Sequence, residues 1–314
     1  MNSLVSVIVP IYNESKYLDS FFSMLDKQTY HKLEVIMIDD GSTDGSLMML
    51  NKKKRDSKYK IIHQENCGVS AARNAGIKHA SGKFCVFVDA DDQFDDCYIQ
   101  YLVTAIEKSN AQLVSCGYSE FKINEGEIFR YSQKNSSENL NFAVAKIVTH
   151  HEMGSALWNK IFKTEIILKN NLKFSVDIAV GEDLLFVISY LTHVKKWVEI
   201  PYVLYHYQLN DFGTMQNYKT AKEFNQNWLT EWKALKLAQI HLASAEKRYV
   251  FDENILHAKR LRVAIKLLGR SKQMNYKSKE IFELRQYVRK GLITVLTSKQ
   301  FPPKQVLKAL LVSF

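Results

Sequence analysis

The sequence predicts an α/β fold, a mostly parallel sheet flanked by helices, followed by a basic helical appendage. Short apolar segments alternate with amphipathic segments over the first part of the chain, and polar turns follow the apolar segments. Beyond about residue 215 the helical periodicity continues without strand-like segments. We therefore expect an α/β domain over residues 1–215 and a basic helical domain over residues 216–314.

The first elements show the alternation most clearly. Leu4–Ile11 is apolar on both faces, which is typical of a buried parallel strand. Ser15–Gln28 has apolar residues at helical spacing, and Leu33–Ile38 is a second buried strand that ends in the polar turn 39–45.

The alternation continues through the next elements. In order they are a strand at Tyr59–His63, a helix at Val69–Ala80, a strand at Phe84–Val88, a helix near Cys97–Lys108 and the start of a strand at Leu113–Cys116. Ligands of such sheets bind at the carboxyl ends of the strands, so the polar turns after strands one, two and four are expected to meet in one crevice.

The last hundred residues predict helices only. The segments with helical periodicity are Phe224–Ala243, Phe251–Leu268, Ser278–Leu296 and, after two prolines, Lys304–Phe314. Gly269 follows a strong amphipathic stretch and is predicted to cap its helix.

Composition excludes several classes of protein. Hydrophobic residues make up 46% of the 314 residues and charged residues 24%, which excludes disordered and fibrous proteins. The four cysteines form no CxxC pair, so we expect free thiols and no zinc site. The N-terminus does not resemble a signal peptide and no run of 18 apolar residues occurs, which predicts a cytoplasmic protein.

The positive charge is concentrated in the helical part. Residues 215–314 contain 20 Lys and Arg against 7 Asp and Glu, a net charge of +13, whereas the rest of the chain carries −3. This excess is either a solvated helical surface or an attraction to an anionic partner such as a membrane. No nucleic-acid-binding module is recognisable, so we expect no nucleic-acid partner.

The sharpest chemical feature is Asp89-Ala90-Asp91-Asp92, directly after a buried strand. Close carboxylates repel one another unless a cation neutralises them, and carboxylates are ligands suited to Mg²⁺ or Mn²⁺. Such a metal can bridge to a diphosphate. The structural alternative is an acidic turn that caps a helix.

Two further acids are weaker candidates. Asp40, after the second strand, can accept a hydrogen bond from a base or ribose, although its turn sequence is also an ordinary one. Asp183 precedes an apolar helix and is either a general base or an acid that favours the helix dipole. No GxGxxG follows the first strand and no GxxxxGK[ST] occurs, which argues against dehydrogenases and P-loop enzymes.

Four ordered motifs together resemble the family 2 glycosyltransferases, which have the GT-A fold. They are VSVIVPIYNE (5–14), EVIMIDDGSTDGS (34–46), GVSAARNAGI (68–77) with GKFCVFVDADD (82–92), and GEDLLF (181–186). The segment WNKIFK (158–163) also matches bacterial polysaccharide members of the family. The resemblance covers roughly residues 4–215.

The resemblance implies an inverting transfer of a hexose from a UDP-sugar to a glycan, lipid-linked or glycoprotein acceptor, with Mn²⁺ or Mg²⁺ as cofactor. It implies that Asp89 and Asp91 form a DxD motif that binds the ribose and the metal, with Ala90 between them, and that Asp183 is the catalytic base. The remaining nucleotide- and sugar-side residues that it implies are Pro10, Tyr12, Glu14, Asp40, Ser70, Arg73 and Asn74, with Tyr12 stacking on the base and Asp40 holding the uracil edge.

One segment departs from the family pattern. Family members often have an Arg after the second Tyr of a late YxYR segment, whereas here Gln208 ends the segment Tyr205–Gln208. Thr214 or Lys219 could substitute for that arginine. His206 is either a third metal ligand or a structural histidine.

The acceptor side and the tail leave alternatives open. Trp158, Lys160, Tyr118 and Trp197 are candidates for acceptor contacts because aromatic faces pack on sugar rings, and a core position is the alternative, above all for Trp197. The C-terminal helices are predicted to associate with an anionic membrane or to form a homodimer contact. The alternative function is a non-catalytic scaffold that recruits a partner through this basic tail.

Overall fold

The computed structural model describes residues 3–122, 125–132, 136–138, 140–149, 154–209, 221–245, 253–298 and 301–313. The chain divides into two compact units. Unit 1 comprises residues 1–143, 156–176 and 189–210, and unit 2 comprises residues 144–155, 177–188 and 211–314. The boundary near residue 215 stays a prediction, and unit 2 also includes two earlier segments.

Unit 1 is built on one sheet. The described residues form the strands β1 Val5–Ile11, β2 Leu33–Asp40, β3 Tyr59–Gln64, β4 Phe84–Phe87, β5 Gln93–Phe94, β6 Leu113–Lys122, β7 Gly126–Tyr131, β8 Ser136–Glu138, β9 Lys160–Lys163 and β10 Trp197–Gln208. Their order in the sheet is β3-β2-β1-β4-β9-β6-β10-β5, with β7 beside β6 and β8 beside β10.

The first half of the sheet is parallel, as the apolar segments predict. β1 pairs in parallel with β2 and β4, and β2 pairs in parallel with β3. Every residue of β2 is buried, and its residues other than Glu34, Asp39 and Asp40 are apolar on both faces. Since Ile11 lies opposite Asp39, the carboxyl ends of these strands share one edge of the sheet.

The second half is mixed, which corrects the expectation of a mostly parallel sheet. β9 lies antiparallel between β4 and β6, β6 and β7 form an antiparallel pair, and β10 is parallel to β6 but antiparallel to β5 and β8. β9 has four residues and is predicted by no periodicity, because a strand this short contains a single repeat of the alternation.

Three helices before residue 215, predicted at 15–28, 69–80 and near 97–108, begin and end close to the predicted positions, whereas the helices at Leu140–Thr149 and Thr164–Lys169 were not predicted. The helices before residue 215 are α1 Ser15–Asp26, α2 Ser46–Lys53, α3 Val69–His79, α4 Tyr98–Ser109, α5 Leu140–Thr149, α6 Thr164–Lys169 and α7 Glu182–Leu191. In α1 the predicted apolar stripe is buried through Leu18, Phe21, Phe22 and Leu25.

The described residues of the C-terminal part form helices and no strand, as predicted, but the segment predicted as one helix, Ser278–Leu296, forms two helices separated at Gly291. The helices are α8 Leu229–Ser244, α9 Glu253–Gln273, α10 Lys279–Lys290, α11 Leu292–Thr297 and α12 Pro303–Ser313, with a short 3₁₀ turn at Gln226–Trp228. Among the described helices, none combines the length and the apolar character that a bilayer span requires.

The predicted cap at Gly269 is wrong, because α9 continues to Gln273. A side chain at this position would begin 2.1 Å from Cε of Lys308, which belongs to α12. The glycine therefore leaves room for Lys308 to cross α9.

Candidate functional site

The segment after β1 is fixed by hydrogen bonds from the turn that follows β2. The N–H groups of Asn13, Glu14 and Ser15 donate to Ser42 Oγ (3.0 Å), Ser46 Oγ (3.0 Å) and Asp44 Oδ2 (2.9 Å) respectively. These bonds hold the backbone directly after Tyr12 against the second motif. Tyr12 itself projects a ring that is 49% exposed, in keeping with the predicted stacking role.

Asp44 caps two helices at once. Its carboxylate accepts from the N–H of Ser15, the first residue of α1, and from the N–H of Ser46 at 3.0 Å, the first residue of α2. The Ser46 hydroxyl also donates to it at 2.6 Å. Gly45 has φ +95°, a left-handed conformation that lets the chain turn from Asp44 directly into α2. A carboxylate at two helix N-termini satisfies N–H groups that lack partners within the helices.

The two aspartates at the end of β2 are both buried. Asp40 accepts hydrogen bonds from Gln64 Nε2 (2.7 Å), Cys67 N (2.9 Å) and Gly68 N (2.8 Å). It therefore shapes the loop that leads into α3, and its predicted contact with uracil stays a prediction.

Asp39, to which the sequence analysis assigns no role of its own, is fully buried. Its Oδ2 lies 2.6 Å from Nδ1 of His63, and its Oδ1 is buried without a hydrogen-bond partner among the described residues. The hydroxyl of Ser70, another residue predicted to lie near the nucleotide, is also buried without a hydrogen-bond partner among the described residues. Buried polar atoms normally have partners, so both are open to a hydrogen bond from a ligand. No signal distinguishes Asp39 from Asp40 in the sequence, since both end the same buried strand.

The third motif places a cation, Arg73, in contact with the first carboxylate of the acidic segment Asp89–Asp92. Arg73, on α3, is buried, and its guanidinium donates to Asp89 Oδ1 at 3.4 Å and lies 5.5 Å from the ring of Phe174. The neighbouring Asn74 forms two 2.8 Å hydrogen bonds with the backbone of Phe174. The predicted residues Arg73 and Asp89 are thus in contact, and Asn74 fixes the ring against which Arg73 packs.

The carboxylates after β4 have different environments. Asp92 is buried and accepts from Tyr205 Oη and from Gln208 N, each at 2.8 Å, so it ties this turn to β10. Burial raises the pKa of Asp92 well above its ordinary range, and the charges of Asp91 and Asp89 raise it further. Asp89 keeps 31% of its side chain exposed.

The pKa of Glu14 is affected by burial and by the negative charges of Asp91 and Asp89. Burial raises the pKa of Glu14 to about 8, with further contributions from the negative charges of Asp91 and Asp89. The carboxylates of two separate motifs, one after β1 and one after β4, therefore lie close enough to repel one another. A divalent cation near this pair would relieve that repulsion.

The donors present fit a metal that is shared with a ligand. No group of three or more His, Cys, Asp or Glu side chains among the described residues is arranged to hold a metal ion by itself. Mg²⁺ is commonly bound by one or two carboxylates together with substrate phosphates, and Asp89 and Asp91 supply such a pair of hard oxygen ligands. These two residues would hold Mn²⁺ or Mg²⁺ here.

His206 is positioned by two side chains of the sheet. Its Nε2 lies 2.9 Å from Asp95 Oδ1 and its Nδ1 lies 2.8 Å from Ser119 Oγ. Since both ring nitrogens already have partners, these contacts favour the structural alternative over the predicted metal ligand. Thr214 and Lys219, the candidates to substitute for the missing arginine, lie outside the described residues.

Trp158 and Lys160 lie in the interior of unit 1, and the structure offers no support for placing them at the acceptor side. Trp158 is 5% exposed and stacks on Tyr205 with a ring separation of 4.6 Å. Lys160 is 1% exposed, and its amine donates to Ala156 O (2.6 Å) and Asn159 Oδ1 (2.7 Å). A lysine whose amine is satisfied inside the protein does not reach an acceptor.

The other two acceptor candidates are buried as well. Tyr118 is 3% exposed and packs edge-on to Trp158. Trp197 is 2% exposed and donates from Nε1 to Ser115 Oγ, so the core alternative describes it.

Asp183 belongs to unit 2. It lies in the first turn of α7, which follows Gly181 with φ +91°. The preceding N–H groups of Ala179 and Val180 donate to Thr230 Oγ1 at 3.2 and 2.9 Å, so α8 supports this helix start within unit 2. Asp183 is partly exposed, as a base that meets an acceptor must be, and its role stays a prediction.

Comparison with known proteins identifies the family. The model of the family described as "Glycosyl transferase family 2" matches residues 6–169. An uncharacterized glycosyltransferase of Bacillus subtilis, EpsJ, is 30% identical over 223 residues, which cover 67% of this chain. The chain spans 62% of the length of EpsJ, less than two thirds.

Solved structures show the same fold. TarS of S. aureus in complex with UDP-GlcNAc has a TM-score of 0.68 at 18% identity, over 99% of this chain and 88% of that one. The mannosyltransferase PcManGT of Pyrobaculum calidifontis, in complex with GDP-Man and Mn²⁺, has a TM-score of 0.57 at 18% identity, over 100% and 87%. The expected GT-A type of α/β fold with a helical C-terminal region is confirmed.

Proposed function

Because the chain belongs to glycosyl transferase family 2, we propose that it transfers a hexose from a UDP-sugar to a glycan, lipid-linked or glycoprotein acceptor in bacterial surface glycan synthesis. The hexose is galactose or glucose, with an N-acetylhexosamine as the other candidate. The proposal rests on charged residues at the carboxyl edge of the parallel strands. There Arg73 contacts Asp89, and the charges of Asp89 and Asp91 act on Glu14. The UDP-GlcNAc bound to TarS and the GDP-Man and Mn²⁺ bound to PcManGT support a nucleotide-sugar donor and a divalent metal.

The donor nucleotide would bind at this edge. The exposed ring of Tyr12 offers a flat apolar face for the base. The unpartnered oxygen of Asp39 and the hydroxyl of Ser70 can each form a hydrogen bond with the nucleotide. Asp40 already accepts three hydrogen bonds from the chain. We therefore assign it the role of shaping this surface, in addition to any contact that it makes with the nucleotide.

The leaving diphosphate needs its negative charge offset. Asp89 and Asp91 would hold Mn²⁺ or Mg²⁺, which supplies Lewis-acid stabilisation of a diphosphate when it is bound. Arg73 contributes a permanent positive charge beside Asp89, held by its packing on Phe174. It is our candidate for part of the role that the missing late arginine has in other members.

The acceptor hydroxyl needs a base, and we assign that role to Asp183. An inverting transfer is a single displacement at the anomeric carbon, so one carboxylate that removes the acceptor proton is sufficient. Asp183 lies in the first turn of α7, and its carboxylate is the group that would accept this proton.

A donor screen tests the proposal. Each UDP-sugar is incubated with Mn²⁺ and candidate acceptors, and UDP release is measured for the wild type and for Asp183→Asn. We expect turnover of one donor, and we expect the variant to bind UDP normally while losing transfer by at least about 100-fold. Full activity of the variant would remove the base assignment. Normal UDP binding without turnover of any donor would favour the scaffold alternative.

A further inference from the structure

The last two helices of unit 2 expose large apolar side chains. Ile293 of α11 is 75% exposed, and Leu307 and Leu311 of α12 are 61% and 60% exposed. Soluble proteins expose single apolar residues commonly, but several on adjoining short helices indicate an interaction surface. α11 and α12 contact each other, so these side chains belong to one region of unit 2.

One face of α12 is buried within unit 2. Ala309 and Val312 are buried, whereas Leu307 and Leu311 lie one turn apart on the other side of the helix. The helix is thus apolar on two sides, and only one of them has a partner within the described residues of unit 2. We define the docking face as the exposed apolar and basic side chains of these two contacting helices: Ile293, Leu296, Lys304, Leu307, Lys308 and Leu311.

Positive charge predominates in the segments that contain the docking face. The exposed charged residues of the described segments 272–298 and 301–313 are seven cations and two acids. The cations are Lys272, Lys277, Lys279, Arg289, Lys290, Lys304 and Lys308, and the acids are Glu280 and Glu283. This imbalance favours an anionic partner.

Three positive charges, those of Lys308, Arg270 and Lys266, lie near one another where α12 crosses α9. Lys308 lies against Gly269, next to Arg270. Partial burial lowers the pKa of Lys308, and the positive charges of Arg270 and Lys266 lower it further. An anion at this position would relieve that repulsion.

We propose that the docking face binds the surface of an anionic lipid bilayer, with its leucines and isoleucine entering the interfacial layer and its lysines contacting the head groups. Basic residues beside exposed aliphatic ones are the combination that an interfacial helix uses. A second copy of the chain would bring two strongly positive surfaces together, which disfavours the homodimer. Nucleic acid would leave the aliphatic side chains without a partner, because it binds through phosphates and base stacking.

Vesicle flotation of the full chain tests this proposal without any donor or acceptor, so its outcome is independent of the proposed activity. We expect the wild type to float with phosphatidylcholine vesicles that contain phosphatidylglycerol, to remain below with pure phosphatidylcholine, and to be released by salt. Leu307→Gln/Leu311→Gln should weaken binding by about tenfold. Lys304→Gln/Lys308→Gln should weaken it by about 30-fold, since each lysine near an anionic surface contributes about fivefold.

The matched control is Met48→Gln/Leu168→Gln, which removes two equally exposed apolar side chains from unit 1. It should bind as the wild type does. Thermal unfolding of the control and of Leu307→Gln/Leu311→Gln should equal that of the wild type because these residues are exposed, and Ile293→Gln replaces the leucine variant if its melting is altered. Lys308 packs against α9, so Lys304→Gln alone replaces the lysine variant if its melting is altered. Absence of flotation, equal flotation with neutral vesicles, or equal loss in the control would overturn the proposal. So would light scattering that shows a dimer dissociated by Leu307→Gln/Leu311→Gln.

Discussion

Removing the carboxylate of Asp44 should destabilise unit 1 and loosen the segment that carries Tyr12 and Glu14. Asp44→Ala deletes three hydrogen bonds, from Ser15 N, Ser46 N and Ser46 Oγ. Bonds to a charged acceptor contribute about 1.5–3 kcal/mol each, but Asp44 is exposed and solvent screens its charge, which reduces this contribution. We therefore expect a total loss of about 2–3 kcal/mol in the free energy of unfolding, against about 1 kcal/mol for an ordinary helix cap.

The loss should depend on pH. Burial alone would raise the pKa of Asp44, but the hydrogen bonds from Ser46 and Ser15 outweigh it and hold the pKa well below its ordinary range. A carboxyl group with a lowered pKa in the folded state adds stability above its unfolded pKa, and this stability is lost as the pH falls. The difference between wild type and variant should be full at pH 7 and should shrink below about pH 4.

Urea unfolding followed by circular dichroism at pH 7 and pH 3 measures this difference. Asp19→Ala is the matched control. Asp19 is an exposed aspartate on α1, and it belongs to unit 1 as Asp44 does. We also expect Asp44→Ala to weaken UDP binding, since the backbone after Tyr12 loses its support. If Asp44→Ala and Asp19→Ala unfold at the same urea concentration at pH 7, the double-capping argument is refuted.

Two further substitutions test the acidic cluster. Tyr205→Phe removes a 2.8 Å hydrogen bond to buried Asp92 and should cost about 1–3 kcal/mol in unfolding free energy, whereas exposed Tyr202→Phe should cost almost nothing; equal melting temperatures would contradict this. Glu14→Gln should stabilise the protein increasingly from about pH 5 to about pH 8 and by a constant amount above it. In this window the unfolded wild type ionises Glu14 while the folded protein, in which its pKa is raised to about 8, keeps the proton, so the wild type loses stability as the pH rises. Melting curves of the two proteins that stay parallel over this range would exclude a perturbed Glu14.

The parallel half of the sheet is predictable because its strands are apolar on both faces, and Val5–Ile11 and Leu33–Asp40 confirm this. β10 is not predicted by the same signal. It contains Pro201 and pairs with β6 through irregular register, so neither a continuous apolar run nor a regular alternation marks it. Long-range pairing of such a strand is decided by tertiary contacts that the local sequence does not contain.

The site is predictable to the extent that strand ends determine it. The contact of Arg73 with Asp89 follows from motifs at the carboxyl edge of one sheet. By contrast, Lys160 is buried because two oxygens accept from its amine, an arrangement that no sequence pattern indicates for a residue type that is normally exposed. The role of Asp44 was missed for the same reason, since its partners come from two different helix starts.

Calorimetric titration of the full chain with UDP is the most direct test of the central claim, that Asp89 and Asp91 hold a divalent ion which binds the donor diphosphate. We predict that UDP binds in Mn²⁺, that EDTA abolishes binding, and that Asp91→Asn weakens it by at least about tenfold. UDP binding of equal strength in Mn²⁺ and in EDTA, or no binding in either, would contradict the account.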